Sequence, residues 1–339
     1  MSLLVLITLL LVLSTHAYEF TCSYTACTVS NIHITYDGLY AFSFIPNGTD
    51  ALFLKGAKGK LADFSFLESA PYLVQFVLER CIFGELVIPA FKTPSTVILK
   101  HVSVKTIRFN SGGQMLRDVR LCGTTFKNIP DTVLQLSGVV NLEQSHSPMR
   151  LLQLSVLRRM NSLVNLNLSY NKIQTITADS EGVCCEKLES LNLIGNSLKQ
   201  FDFAVVMYMP QFQRLFLGNN QIATISVEAN KPYTGKQRFC SWKSYYLKRI
   251  EVGVEIPKPP CADYFAKLNG ITLNHNKLTT IDISLFERMN MLDYLDLAYN
   301  PLKSVKIVKE KVPISINFSL LKGEAGYLYD LPPEVFTRV

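Results

Sequence analysis

The sequence is poor in the residues that most often carry chemistry, with five histidines and one tryptophan among 339 residues. It lacks the zinc-protease motif H-E-x-x-H, the nucleophile motif G-x-S-x-G and a phosphate-binding glycine loop. The adjacent pair Cys184 and Cys185 has no second cysteine pair at zinc-binding spacing. We therefore expect no enzymatic activity, no metal site and no cofactor.

Long apolar runs are also scarce, and the one present is at the N-terminus. Residues 1–17, MSLLVLITLLLVLSTHA, are too short for a spanning helix and end in small residues that suit signal peptidase. No second run of membrane length follows, and residues 324–339 lack the hydrophobic tail of a lipid-anchor signal. The sequence thus predicts a signal peptide cleaved after Ala17, an extracellular, secreted protein and no transmembrane anchor.

Charge is sparse as well, since charged residues make up 18% of the chain and the net charge is +7. The densest basic clusters are residues 303–311 and the region around Lys231 and Lys236. Neither has the interleaved aromatic residues or the recognised module that nucleic-acid binding requires. We expect no nucleic-acid partner and interpret the basic residues as a solvated face, with at most weak attraction to anionic surfaces.

What the sequence does contain is a repeat. The segment LVNLNLSYNKI begins at Leu163, and copies begin at Leu188, Phe212, Leu268 and Leu292. The first three starts are 25 and 24 residues apart, and the last two are again 24 residues apart. Positions one, four and six are apolar, so each copy forms a short one-faced strand that is buried only by stacking against its neighbours. Position nine is asparagine in every copy: Asn171, Asn196, Asn220, Asn276 and Asn300. We interpret these amides as a structural ladder that pairs with buried turn backbone.

This pattern resembles the leucine-rich repeat, L-x-x-L-x-L-x-x-N-x-L. The resemblance implies an α/β fold, a leucine-rich-repeat solenoid with a curved parallel β-sheet on its concave face and a mostly irregular or short-helical convex side. Less regular copies begin at Val29, Thr49, Leu73, Pro94, Leu116, Ser137 and Leu247, with a final one near Pro313. We predict an N-terminal cap over residues 18–48, a repeat array over residues 49–323 with an insertion at 227–246, and a C-terminal tail over 324–339.

The eight cysteines all follow the predicted cleavage site, and an even number in a secreted chain indicates disulfide bonds. Cys22 and Cys27 flank the first strand-like segment, where a small disulfide cap would cover the open end of the repeat core. Cys240 and Cys261 bracket the irregular repeat at Leu247, and we predict that they pair.

The other four cysteines lead to different expectations. Cys81 and Cys122 lie two repeats apart, roughly 10 Å by strand spacing, which is beyond the reach of a disulfide. We therefore expect two buried free thiols. Cys184 and Cys185 leave three alternatives open: a vicinal bond, pairing with the insertion, or a thiol that links a homo- or hetero-oligomer.

Three glycosylation sequons begin at Asn47, Asn167 and Asn317, so the secreted chain is expected to be a glycoprotein. Asn47 follows Pro46 in a predicted loop and is the best acceptor of the three. Asn167 occupies position five of its repeat, between two inward leucines, so a glycan there would obstruct the concave face.

Binding is the function that this fold favours, because outward residues of the strands line a large rigid surface. Our registers place twelve residues at position five: His33, Phe53, Val77, Ile98, Arg120, Asn141, Asn167, Asn192, Phe216, Glu251, Thr272 and Asp296. Aromatic, apolar and arginine side chains are the usual anchors of interfaces. The candidate ligand-binding residues are an apolar strip with a bounding arginine and a second, mixed cluster: Phe53, Val77, Ile98 and Arg120, then Arg214, Phe216, Arg249 and Glu251.

The overall layout is most similar to secreted leucine-rich-repeat proteins of animals, and among them to insect leucine-rich immune proteins. The similar features are the N-terminal C-x4-C unit, the irregular early repeats and the cysteine-bearing insertion. The resemblance implies extracellular protein–protein recognition in innate immunity, with an extracellular protein or a microbial surface ligand as partner. It does not extend to the coiled-coil tail of that group, because no heptads follow the last repeat. A released receptor-like ectodomain, a secreted inhibitor and an adhesion protein are the alternatives.

Overall fold

The structure is a computed structural model, and it describes residues 18–37, 40–70, 72–93, 95–110, 115–178, 184–207, 209–227, 265, 267–286, 289, 291–307, 315–317 and 336–338. The chain divides into two compact units, Met1–Pro148 and Met149–Val339. In the part of the chain covered by these ranges, no helix is long and apolar enough to cross a membrane.

The first unit is built from one main-sheet strand per repeat. Its strands are β1 (Glu19–Ser23), β2 (Ala26–Ser30), β3 (Ala51–Lys55), β4 (Lys58–Asp63), β5 (Gln75–Glu79), β6 (Ile82–Ile88), β7 (Ser95–Lys100), β8 (Ser103–Phe109), β9 (Leu116–Cys122) and β10 (Asn141–Glu143). The main sheet has the order β1-β2-β3-β5-β7-β9-β10, in which β1 pairs antiparallel with β2 and every later pair is parallel. Two single-turn helices, α1 (Ile34–Asp37) and α2 (Asp131–Leu134), and 3-10 turns at Tyr40–Phe44 and Ser65–Ser69 complete it.

A second parallel sheet, β4-β6-β8, forms where the chain returns behind the main sheet. We expected this side to be mostly irregular or short-helical, and the repeat motif did not predict the extra strands. Their sequences, IFGELVI in β6 and SVKTIRF in β8, are rich in β-branched and aromatic residues that suit a half-buried pleated surface. Between the layers lies a core in which the Phe64 and Phe76 rings are 5.0 Å apart and Phe42 meets Phe64 edge-on.

The second unit contains the clean repeats. Its strands are β11 (Leu151–Gln153), β12 (Asn165–Asn167), β13 (Thr175–Thr177), β14 (Ser190–Asn192), β15 (Gln200–Asp202), β16 (Arg214–Phe216), β17 (Thr224–Ser226), β18 (Gly270–Thr272), β19 (Thr280–Asp282), β20 (Tyr294–Asp296), β21 (Ser304–Ile307), β22 (Ser315–Asn317) and β23 (Phe336–Arg338). The main sheet has the order β12-β14-β16-β18-β20-β22, all parallel where paired. Short pairs β11-β13 and β15-β17 and the trio β19-β21-β23 lie on the return side, with 3-10 turns at Leu154–Arg159, Phe203–Val205 and Ile283–Phe286.

The predicted fold class, a leucine-rich-repeat solenoid with a parallel sheet, is confirmed in both units. Position eight of each repeat bends the chain out of its strand with a left-handed backbone, and φ there lies between 52° and 71°. The residues at position eight are Asn31, Gly56, Arg80, His101, Gly123, His146, Tyr170, Gly195, Asn219, His275 and Tyr299. Left-handed backbone is uncommon outside glycine, so its regular recurrence fixes the register of each repeat independently of the leucines.

The register that we placed at Val29 is wrong, because strand pairing sets Thr28, not His33, beside Phe53 at position five. Val29, Ile32 and Ile34 have the three-then-two spacing of positions one, four and six, but they occupy positions six, nine and eleven. The first repeat therefore begins at Tyr24. His33 lies past the strand exit, where it forms a single bridge with Lys58 on the return side.

The register at Ser137 is wrong by two residues. Glu143, not Asn141, pairs with Arg120, so this repeat begins at Val139. The pattern was obscured because position six, normally leucine, is Gln144, which is fully buried. Its amide donates to the backbone carbonyls of the preceding turn, at 3.3 Å from the Phe126 oxygen. A buried polar side chain with a partner can thus fill a core position of the motif.

Several predictions lie outside the described residues. These are the signal peptide, the insertion beyond residue 227, the residues of the repeat at Leu247 and the pair Cys240 and Cys261. Arg249 and Glu251 of the second candidate cluster are also outside. The place that we gave the repeat at Leu247 in the main sheet, between the repeats at Phe212 and Leu268, is wrong, because β16 pairs directly with β18. Within the predicted C-terminal tail, β23 lies beside β21 in parallel.

Candidate ligand-binding face

The strands of the second unit are held in register by an amide ladder at position nine. Asn220 accepts a hydrogen bond from the backbone N–H of Leu198 at 3.1 Å and donates to the carbonyls of Leu193 and Leu217, both at 3.0 Å. Asn196, Asn276 and Asn300 make the same set of bonds between adjacent repeats. The predicted ladder is confirmed. Because it holds the strands in register, the face of the sheet that points away from the core is a preorganised surface.

In the first unit a thiol occupies the same ladder position. Cys81 is fully buried, and its Sγ lies 3.6 Å from the Leu54 carbonyl and 3.4 Å from the Glu79 carbonyl. Burial raises the pKa of Cys81 to about 11, so the group is a neutral thiol at physiological pH. Cys122 is half-buried beside Glu143 Oε1, at 3.3 Å, and burial raises its pKa as well. Both cysteines are free thiols, as predicted, but only Cys81 is buried as expected.

Two disulfides are present in the described residues. Cys22 and Cys27 join the strands of the β1–β2 hairpin, with a Cα–Cα distance of 4.1 Å, and Cys27 is a core residue of the first repeat. Cys184 and Cys185 form a vicinal bond, which is one of the three alternatives left open by the sequence. Both are buried, so in this structure neither offers a thiol for linking to another chain.

The face of each main sheet opposite the core carries positions three and five of the repeats and is called the outer face below. Phe53, Val77, Ile98 and Arg120 lie side by side on the outer face of the first unit, in four consecutive parallel strands. However, Val77 and Ile98 are only 5% and 6% exposed, and Phe53 is half-buried. The expected exposed strip is therefore wrong for its two central residues, because each lies between side chains of two adjacent strands that are only about 4.8 Å away.

The sequons differ in their surroundings. Asn47 is exposed in a turn before β3. Asn167 is half-buried on the outer face of β12, where its Oδ1 accepts a hydrogen bond from the Ser169 N–H at 3.1 Å. Asn317 is the last residue of β22. Use of Asn47 as the acceptor stays a prediction.

The outer face of the second unit contains a hollow of about 350 Å³. It is lined by residues at positions two, three and five of β16, β18 and β20: Gln213, Arg214, Phe216, Asn269, Gly270, Thr272, Asp293 and Tyr294. We call it the Gly270 hollow, because Gly270 lies at its centre. Arg214 and Tyr294 rise on either side of that glycine as exposed walls.

Gly270 differs from glycines that the backbone requires. A Cβ at Gly84 would lie 2.6 Å from the Lys60 carbonyl oxygen, and Gly195 has φ of +71° beneath the Tyr170 ring. At Gly270 the nearest heavy atom to an added Cβ is 3.9 Å away, which is an ordinary contact. Nothing in the local backbone demands glycine here, so its effect is to open the hollow.

An aromatic stack flanks the exit edge of the same sheet. The rings of His275 and Tyr299, at position eight of adjacent repeats, are 4.2 Å apart and nearly parallel. His101, in contrast, lies in the first unit over Gly123. Within the described parts of the chain, no three His, Cys, Asp or Glu side chains come together as metal ligands.

The structure thus brings part of the predicted mixed cluster together. Arg214 and Phe216 both line the Gly270 hollow, as outward residues of β16. Sequence reasoning missed Gly270 and Tyr294, because it ranked only large anchoring side chains near position five. A glycine between an arginine and a tyrosine at position three of successive repeats is the signal that could have found them.

The sequence matches no family model, and no curated protein matches it. Among solved structures, a chain of the LRIM1/APL1C complex is 16% identical with a TM-score of 0.49, over 84% of this chain and 44% of that one. A leucine-rich-repeat protein of Leptospira interrogans is 16% identical with a TM-score of 0.48, over 83% and 74% of the two chains. The complex of latrophilin 3, Unc5D and FLRT2 gives 15% identity and a TM-score of 0.47, over 76% and 77%. These likenesses concern the repeat fold alone, and the match spans less than half of the LRIM1/APL1C chain.

Proposed function

We propose that this chain is a secreted leucine-rich-repeat binding protein that recognises another extracellular protein through its outer face. The observation that carries the proposal is the Gly270 hollow, which sets Arg214, Phe216 and Tyr294 around an open space. Arginine and aromatic side chains dominate the energetics of protein interfaces, especially where they surround a pocket that a partner can fill. The amide ladder holds the strands that carry these side chains in register, and a rigid backbone lowers the entropic cost of binding.

Secretion and a role in innate immunity belong to the same proposal. The apolar N-terminal run of signal-peptide length supports secretion, and the Cys22–Cys27 disulfide suits an oxidising compartment. The immune role is supported by the layout shared with insect leucine-rich immune proteins, from the C-x4-C unit to the irregular early repeats.

Affinity capture with residues 18–339 from extracellular fluid, followed by mass spectrometry, tests the proposal. We expect enrichment of a specific protein that is missing when an unfolded, reduced sample is the bait. Recovery of a microbial surface polysaccharide with no protein would contradict protein recognition and point to a microbial ligand instead.

A further inference from the structure

The Gly270 hollow exists because one side chain is missing from a regular row. Arg214, Gly270 and Tyr294 occupy position three of three neighbouring strands, and their Cα atoms are direct partners in the parallel register. A side chain at the middle position would fill the space between the two walls. Since the backbone would accept such a side chain, the gap can receive one from another molecule.

The spacing of the walls selects a planar aromatic group. Neighbouring strands are about 4.8 Å apart, so a guest in the middle column lies about 4.8 Å from each wall. Paired aromatic rings prefer centroid separations of about 4.5–7 Å, and an arginine is attracted to a ring face within about 6 Å. A ring at this place can therefore stack on the Tyr294 ring and on the Arg214 guanidinium at once. An aliphatic guest would gain only burial.

One end of the hollow, formed by position five of β16 and β18, favours an aromatic group with a polar end. Phe216 is half-buried there and offers apolar surface. Beside it, the Thr272 Oγ1 atom is buried and has no hydrogen-bond partner among the described residues. Buried hydroxyl groups without partners are costly. Rotation of the Thr272 side chain about its Cα–Cβ bond would turn this hydroxyl toward the hollow, where the hydroxyl of tyrosine or the N–H of tryptophan can donate to it.

We propose that the Gly270 hollow binds one tyrosine or tryptophan side chain presented by a partner protein. The identity of the partner as a protein rests on the proposed function, whereas the aromatic specificity rests on the hollow itself. A guest ring lies between Arg214 and Tyr294, beside Phe216, and its polar group bonds to Thr272 Oγ1 once that hydroxyl has turned toward the hollow.

Small probes test the hollow without the partner. Saturation-transfer NMR with the full secreted chain measures binding of N-acetyl-tyrosinamide, N-acetyl-tryptophanamide, N-acetyl-phenylalaninamide and N-acetyl-leucinamide. We expect the tyrosine and tryptophan probes to bind about tenfold more tightly than the leucine probe, with the phenylalanine probe between them. Equal binding of the leucine and aromatic probes would overturn the proposal.

Two substitutions locate the binding. Gly270→Leu fills the hollow and should weaken the aromatic probes about tenfold, whereas Asn165→Leu in the same row, two strands before Arg214, should leave them within about twofold. Thr272→Val keeps the shape and should reduce the tyrosine probe to the level of the phenylalanine probe. Unchanged aromatic binding in Gly270→Leu would also overturn the proposal.

Folding of each variant is checked by circular dichroism, and Tyr294→Ala replaces Gly270→Leu if the latter does not fold. Tyr294→Ala removes one wall and should weaken the aromatic probes, while full-strength binding would again contradict the site. If the chain binds the aromatic probes but captures no protein, the proposed function is contradicted and the aromatic site is supported. If the chain captures a protein but does not bind the aromatic probes, the aromatic site is contradicted and the proposed function is supported.

Discussion

Position nine shows how single residues decide what holds the repeats together. In the second unit it is asparagine, whose amide satisfies three buried backbone groups at once. In the first unit it is occupied by side chains that make fewer hydrogen bonds or none, among them Cys81 and the pair Thr124 and Ser147, whose hydroxyls lie 3.1 Å apart across adjacent repeats. A substitution at position nine should therefore lower the free energy of unfolding most in the second unit.

Replacing Asn220 by leucine should be strongly destabilising. The change leaves the Leu198 N–H and the Leu193 and Leu217 carbonyls buried without these partners, which should lower the free energy of unfolding by roughly 2–4 kcal/mol. Urea denaturation measures the loss, and Gln221→Leu, at the exposed neighbouring position, serves as the control. Equal midpoints for the two variants would refute the structural role of the ladder.

Cys81 makes stability depend on pH in the alkaline range. Its pKa is raised by burial from 9.0 to about 11, so the folded chain keeps a proton that the unfolded chain releases. The stabilisation is fully present below about pH 9 and is lost as pH rises to about 11. Over that interval the wild type should lose about 2–3 kcal/mol more than Cys81→Ala in denaturant titrations. Parallel pH curves for the two proteins would contradict a buried neutral thiol.

At the scale of elements, the second sheet of the first unit joins adjacent repeats where the position-nine asparagines of the second unit are absent. The residue after position nine donates its backbone N–H to the position-nine carbonyl of the preceding repeat, at 2.9–3.0 Å. These bonds join Lys58 to Ile32, Ile82 to Ala57 and Ser103 to Cys81. From there β4, β6 and β8 continue the pairing, so backbone bonds replace side-chain bonds on this side of the repeats.

Gly84 tests this element. An added Cβ would lie 2.6 Å from the Lys60 carbonyl oxygen, so Gly84→Ala must push β4 and β6 apart. We expect a loss of about 2 kcal/mol or more in the free energy of unfolding, measured by urea denaturation. Glu85→Ala is the neighbouring control: it removes only the exposed ion pair with Arg108, which is worth less than about 1 kcal/mol. A smaller effect from Gly84→Ala than from Glu85→Ala would mean that β4 and β6 are not closely packed there.

The sequence predicts a strand correctly where its leucines keep the regular spacing of the repeat. The main-sheet strands at Leu163, Leu188 and Phe212 follow directly from the leucine spacing. The repeat at Tyr24 could not be placed, because other apolar residues in it imitate the leucine spacing. The repeat at Val139 could not be placed, because a buried glutamine interrupts that spacing. The second sheet was missed because the motif constrains only its first eleven positions.

The candidate site was harder to predict than the fold. Arg214 and Phe216 could be chosen because large side chains at outward positions are a positive signal. Gly270 contributes by the absence of a side chain, and Tyr294 matters only because that absence exposes it. The apolar strip at Val77 and Ile98 failed for the opposite reason: outward direction was correct, but exposure depends on neighbours in other repeats.

At the scale of the whole molecule, our proposal assigns recognition to the outer face and not to the return side. Two lysine or arginine positions of the second unit separate these possibilities: Arg214 on the outer face and Lys199, exposed on the return side. Arg214→Glu and Lys199→Glu change the net charge of the protein equally, so any difference between them reports location.

The most direct measurement is capture of the extracellular partner by the wild type, Arg214→Glu and Lys199→Glu, quantified by mass spectrometry at equal bait concentration. We expect Arg214→Glu to retain about a tenth of the wild-type capture, because a central arginine anchor is lost, and Lys199→Glu to retain nearly all of it. Full capture by Arg214→Glu, or an equal loss in both variants, would contradict recognition through the outer face.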